Sequence, residues 1–175
     1  MSIDVAVVGS CNLDLVVKVD AIPLVGQTVL GGDLAQIPGG KGANQAVAIS
    51  RLGHSVAFIG RVGDDDNGQF LKQCLREDNV ETSVLFETVG VPSGIAMIAV
   101  QADGDNSIVV SPGANARLTP EDVENIPFLD TATVVLTQSE IPIETVVATG
   151  RSTSGTFVLN PAPAPEEIVS FELLD

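Results

Sequence analysis

"DVAVVGSCNLDLVVKV", residues 4 to 19, changes its pattern halfway, and the change decides how the rest of the chain is read. Residues 4 to 9 are a short continuous apolar run closed by glycine, the composition of a strand covered on both faces. From Asn12 the period becomes two, with Leu13, Leu15, Val17 and Val19 on one side and Asp14, Val16 and Lys18 on the other. A strand of that kind is half exposed, so it belongs to a different layer from the first.

Working outward, "QTVLGGDLAQI" (27 to 37) reads as an extended, glycine-broken antiparallel partner of the second run. Between Lys41 and Leu52, the residues Ala43, Ala46, Val47, Ala48, Ile49 and Leu52 predict an apolar helix sandwiched in the core, with Gly53 as its left-handed cap. "SVAFIGRVG" (55 to 63) is a further buried strand. Asp64 to Asn67 then cap a helix that presents Phe70, Leu71, Cys74 and Leu75 and stops at Asn79. "GIAMIAVQ" (94 to 101) and "NSIVVS" (106 to 111), joined by "ADGD", form a hairpin. Thr119, Pro120 and Asp122 open a short helix. "ATVVLTQ", "PIETVVATG" and "TFVLN" follow as strand, short helix and strand.

This alternation predicts an α/β fold, a Rossmann-like doubly wound and mainly parallel sheet with its crevice at the carboxyl ends of the strands. The extended inserts form a small β-sheet lid over that crevice, and one domain takes in all 175 residues. At "PEEIVSFELLD" (165 to 175) the pattern asks for another strand, so the sheet is expected to be incomplete at its C-terminal end. An open edge there favours aggregation.

Composition excludes several functions. Eight Lys plus Arg stand against 23 Asp plus Glu, a net charge of −15, and the basic residues are scattered without interleaved aromatics. Nucleic acid is therefore not an expected partner. Cys11 and Cys74 are far apart in no metal-like spacing and read as inert thiols of a reducing compartment. With no leader pattern and no long apolar run, no membrane role is expected and the location is cytoplasmic, with the nucleus also open to it.

The residues that could carry chemistry gather at strand ends. "GSCNLD" follows the first strand and "QSE" a later one, so Asn12, Asp14 and Glu140 can converge with the loop Gly39, Gly40, Lys41 and Gly42. A carboxylate accepts from vicinal hydroxyls and an amide both donates and accepts, the mixture a sugar needs. Structural alternatives stay open: Asp14 as a solvated face residue, Asn12 as a turn residue, Glu140 as a helix cap. Three glycines before a helix are costly unless close approach requires them. The loop is no P-loop, since Lys41 is followed by Gly42 and not by Ser or Thr. The dinucleotide fingerprint fails for want of glycines, and His54, the only histidine, leaves no triad or histidine metal site.

"GSCNLD", "GGKGANQAVAISRLG", "GRVGDDDNG", "GANARL", "QSEIP" and "LNPAPAP" occur in an order and spacing that resembles the ribokinase-like sugar kinase family, over residues 4 to about 165. The resemblance implies ATP-dependent phosphorylation of D-ribose at its 5-hydroxyl, with Mg²⁺ and a monovalent cation, K⁺. It implies that Asn12 and Asp14 hold the sugar, that Gly40, Lys41 and Asn44 are the glycine-loop contacts, and that Glu140 closes the same pocket. It also implies that segments 13–37 and 93–111 form a lid through which two copies make a homodimer.

The family's later "GAGD" motif, source of the anion hole and the catalytic Asp, and its "NE" motif have no counterpart in the 175 residues. The expectation is the N-terminal portion of such a kinase, holding the ribose and lid half, without catalytic, ATP or metal residues and inactive alone. The helix after "QSEIP" is also shorter than in relatives, interrupted by Gly150, Ser152 and Ser154. The rival expectation is a non-catalytic sugar-binding or dimerising modulator of a full-length kinase. An intact kinase of another substrate class is the weakest, because no glycine-flanked Asp remains at a suitable place.

Overall fold

The computed structural model describes residues 3 to 164. Along the chain come β1 (Val5–Val8), β2 (Asn12–Lys18), β3 (Leu34–Gly39), α1 (Lys41–Arg51), β4 (Val56–Gly63), α2 (Asp66–Glu77), β5 (Leu85–Thr88), β6 (Gly94–Val100) and β7 (Asn106–Ser111). A 3₁₀ turn over Gly113–Arg117 leads to α3 (Pro120–Glu124), α4 (Pro127–Thr131), β8 (Val134–Gln138), α5 (Ile143–Arg151) and β9 (Thr156–Asn160). The further strand expected at 165–175 lies outside the described residues.

The larger sheet has the order β5-β4-β1-β8-β9 and is parallel throughout. Its centre is sealed on both faces, which is why β1 is apolar at every position: Ala6, Val7 and Val8 are all fully buried. Val7, Val56 and Phe58 pack with Ala43, Ala46, Leu71 and Leu75 of α1 and α2. Ala6, Val8, Ile59 and Val135 pack on the other side with Leu118, Val123, Leu129 and Val146. The expected α/β architecture is present.

The smaller sheet has the order β3-β2-β6-β7, with β2–β3 and β6–β7 antiparallel and β2–β6 parallel. Two of its strands follow core strands closely: Asn12 opens β2 four residues after Val8 ends β1, and Gly94 opens β6 six residues after Thr88 ends β5. Asp65 fixes the root of β6, because its carboxylate caps α2 by accepting from Gly68 N at 2.8 Å and also accepts from Ser93 N at 2.9 Å and Ser93 Oγ at 2.6 Å. Ser93 Oγ in turn accepts from Gly63 N at 2.9 Å.

Several local expectations need correction. Helix α1 lies on the sheet and is not sandwiched: Gly42, Ala43 and Ala46 are buried, whereas Leu52 is exposed. On α2 the buried side is Gly68, Leu71 and Leu75, and Phe70 points outward at 40 % exposure. Of residues 27 to 37 only those from Leu34 onward pair as a strand. Strand β5 was not expected at all, because its burial pattern leaves Leu85 as its one fully buried residue. The caps hold as expected: Gly53 has φ 92°, Asn79 has φ 58°, and Thr119 with Asp122 forms a capping box.

Candidate functional site

The carboxyl ends of β1 and β8 and the first turn of α1 meet around Ser10. Gly40 precedes α1 with φ 92°, and a Cβ there would sit 2.8 Å from both Asn12 N and Ser10 O. Glycine is required because the loop lies directly on the β1–β2 link. Ala43 N donates to Ser10 O at 2.9 Å, and Asn44 N, on the exposed side of the first turn, donates to Gly40 O at 2.9 Å. The loop is thus fixed before any ligand arrives.

Glu140 reaches this turn from two residues beyond β8. Its Oε2 accepts from Ser10 Oγ at 2.5 Å and from Lys41 N at 3.0 Å, so one carboxylate oxygen caps α1 from another element. The capping alternative therefore holds, for α1 and not for the helix that follows Glu140. Its Oε1 faces Lys41 Nζ at 3.6 Å, with Lys41 41 % exposed. That separation is longer than a hydrogen bond, and the ammonium keeps donors for a third group.

Asp14 stands on β2 opposite Ile37 and Ala96. A Cβ on Gly39 would overlap its carboxylate, so the glycine makes the room in which that carboxylate sits. Burial raises the Asp14 pKa above the usual carboxylate range, the charge of Glu140 adds to the rise, and Lys41 opposes it. Asp14 therefore feels both Glu140 and Lys41. Asn12, on the same face of β2 two residues earlier, is buried, and its Oδ1 accepts from Asn115 Nδ2 at 2.7 Å.

The structure brings Asn12, Asp14, Gly39, Gly40, Lys41, Gly42 and Glu140 together, with Asn44 on the rim. Beside Glu140 a cleft of about 390 Å³ is lined by Val110, Pro112, Ser139, Ile141 and Pro163. Larger clefts of about 550 and 510 Å³ lie by Lys18 and Val100 and by Val56 and Arg76, and contain none of these residues. Of the gathered residues only Glu140 lines the cleft of about 390 Å³; taken together, the carboxylates, the amide and the lysine ammonium offer both acceptors and donors, the mixture that suits a polyhydroxylated ligand. Among the described residues no group of three His, Cys, Asp or Glu could hold a metal ion.

Three supporting residues sit within "GSCNLD", "QSEIP" and "GANARL", but the sequence assigns them no role. Ser10 links Glu140 to the loop. Gln138, fully buried, donates from Nε2 to Gln45 Oε1 at 2.5 Å and fills the space that side chains at Gly9 and Gly42 would take. Asn115 grips the β1–β2 link, accepting from Cys11 N at 3.0 Å and donating to Cys11 O at 3.2 Å. Their partners lie about a hundred residues away, and no local spacing encodes that. Cys11 itself is inert, because burial pushes its thiol up to about 12.

Comparison with known proteins identifies the family. The family model described as pfkB family carbohydrate kinase matches residues 2–169. The chain is 45% identical to a ribokinase of Bacillus subtilis over 165 residues, 92% of this chain and 56% of that protein. It is 36% identical to a mouse ribokinase over 169 residues, 94% of this chain and 52% of that one. Among solved structures, the ribokinase of Thermotoga maritima superposes with a TM-score of 0.84 at 34% identity, over 95% of this chain and 55% of its own. The Arabidopsis thaliana ribokinase, solved with ribose and ATP, gives 0.80 at 30% identity over 100% of this chain and 58% of its own. The chain spans a little over half the length of these relatives. Family model, fold and relatives agree: the chain belongs to the pfkB family of carbohydrate kinases.

Proposed function

We propose that this chain provides the sugar-binding half of an ATP-dependent ribokinase, the reaction being phosphorylation of D-ribose at its 5-hydroxyl. The observation that carries the reading is the convergence of Asp14, Lys41 and Glu140 on the glycine loop, with Asp14 electrostatically coupled to both other groups. Asp14 accepts from ring hydroxyls, Asn12 and Lys41 donate to them, and the loop at Gly39, Gly40 and Gly42 allows close approach. Asn44 contributes from the rim and Glu140 holds the floor. The Arabidopsis relative with ribose and ATP bound supports the choice of sugar.

ATP, Mg²⁺ and K⁺ are the co-reactant and ions of the proposed reaction. The described residues do not fit them: there is no metal-holding cluster, and Lys41 lacks the following hydroxyl of a P-loop. No step is assigned to these residues beyond binding and orienting the sugar. The 175-residue chain by itself is expected to bind ribose without transferring phosphoryl groups, since transfer needs positioned charge around the moving phosphate.

The smaller sheet, with segments 13–37 and 93–111, is the lid of this pocket and the place where a second copy pairs. Leu34, Ile37, Met97, Ile108, Val109 and Val110 are all exposed on it, more apolar surface than a solitary sheet needs. The same surface favours a second reading, a modulator that pairs through its lid with a full-length kinase.

Calorimetry with ribose and an ADP-release assay on the purified chain test the proposal. Ribose binding without turnover is the expected result. No binding overturns the sugar site, and robust turnover overturns the assignment of catalysis to residues outside this chain. Sedimentation distinguishes a homodimer from a chain that pairs only with a full-length kinase.

A further inference from the structure

Asn115 lies beneath the site and touches it only through Asn12, yet it settles what Asn12 can offer. The backbone N–H of Cys11 can only donate, so the Asn115 atom 3.0 Å from it is the carbonyl oxygen. The other end of the Asn115 amide is then the NH₂ group, which donates to Cys11 O at 3.2 Å and to Asn12 at 2.7 Å. The Asn12 atom it meets must be Oδ1. Asn12 Nδ2 is consequently turned away from Asn115, and among the described residues it is neither hydrogen-bonded nor sealed in. A side chain at Gly94 would collide with both amides, so the pair closes only over glycine.

We infer that Asn115 is a positioning residue that sets the hydrogen-bond polarity of the sugar site: it makes Asn12 a donor beside the acceptor Asp14, so the group between them must both accept and donate. A hydroxyl meets that demand, whereas an amine, protonated and donor-only, does not. The inference rests on the sugar-binding reading and adds how the site tells a hydroxyl from an amino group. Specificity of this kind arises from leaving a buried polar group unpaired with the wrong ligand.

Asn115→Asp reverses the polarity with little change of shape. It keeps an acceptor for Cys11 N–H but places an oxygen against Asn12, whose amide then turns to donate inward and presents Oδ1 to the ligand. Calorimetry with D-ribose, 2-amino-2-deoxy-D-ribose and 3-amino-3-deoxy-D-ribose reads the outcome as a ratio of affinities. The original chain is expected to prefer ribose to both amino sugars, and Asn115→Asp to shift the ratio for one of them about ten-fold toward the amine. In an Asn12→Ala background the same substitution is expected to leave the ratio unmoved, which separates polarity from the added charge.

An unchanged ratio in Asn115→Asp, or an equal shift with and without Asn12, overturns the inference and leaves the sugar site standing. If the original chain binds none of the three sugars, the proposed function falls and this inference with it. Should Asn115→Asp not fold, Asn115→Ala in a double-mutant cycle with Asn12→Ala gives the second reading. Loss of ribose affinity confined to the background that retains Asn12 supports the inference, and equal losses in both backgrounds overturn it.

Discussion

The two sheets use the same β-branched and aliphatic residues to opposite ends. In the larger sheet Val7, Val8, Phe58 and Ile59 are fully buried between helices, and the strands do nothing but hold their ends in place. In the smaller sheet Met97, Ile108 and Val109 are 48, 51 and 59 % exposed, and β2 carries Asn12 and Asp14, the residues proposed to meet the sugar. The lesson is that rigidity is concentrated in one layer and the proposed chemistry in the other, with the glycine loop among the segments that join them.

The sharpest way to break the comparison is in the core. Phe58→Ala is expected to cost about 3–5 kcal/mol by removing a sealed side chain, against less than about 0.5 kcal/mol for Met97→Ala. Chemical denaturation measures both, and similar costs would mean that the smaller sheet is as well packed as the larger. Next in size is Arg61→Ala. Arg61 pairs bidentately with Asp122, Nε to Oδ2 at 2.8 Å and Nη2 to Oδ1 at 2.5 Å, joining β4 to α3. Its removal is expected to cost about 1–3 kcal/mol, because the carboxylate left behind is partly buried.

Acid titration sets the layers apart by sign. Burial pushes the Asp122 carboxyl up, but its bonds from Arg61 and Thr119 outweigh burial and hold it below the usual range. The folded pKa lies below the unfolded one, so the stabilisation is complete above about pH 4 and is lost as pH falls through the folded value. Asp14 is raised, so its ionised form opposes folding and its contribution improves on acidification. Asp14→Asn is accordingly expected to raise Tm slightly at neutral pH while reducing ribose affinity at least about ten-fold. A lowered Tm would show Asp14 to be part of the scaffold. The smallest effect belongs to Arg51→Ala, whose pairing with Asp78 is solvent-exposed; thermal melts are expected to be indistinguishable.

Much of this division is legible in the sequence. The switch at Asn12 from continuous to alternating apolar residues separates the layers, and the three glycines of the loop, Gly39, Gly40 and Gly42, announce close approach, which the contacts at Gly39 and Gly40 bear out. What escaped is of two kinds. Strand β5 has too few buried positions to stand out from a loop, and Phe70 breaks the rule that large apolar residues face inward. Ser10, Gln138 and Asn115 lie within "GSCNLD", "QSEIP" and "GANARL", but their roles are hidden for another reason: each acts through a partner distant in sequence, and a polar residue carries no periodicity that points across the fold.

The pairing order of the smaller sheet also bears on how the chain assembles. It is two locally closed antiparallel pairs, β2–β3 and β6–β7, joined by one parallel seam between β2 and β6. Each pair can close over a short stretch, whereas the seam must wait until everything from Val19 to Ser93 has been brought into register, a non-local closure that is slow on entropic grounds. The surface around Asn12 and Asp14 is therefore completed late, after the frame on which it rests. Pulsed hydrogen exchange during refolding would detect this as protection of β1 and β4 amides before those of the β2–β6 seam, and simultaneous protection would contradict it.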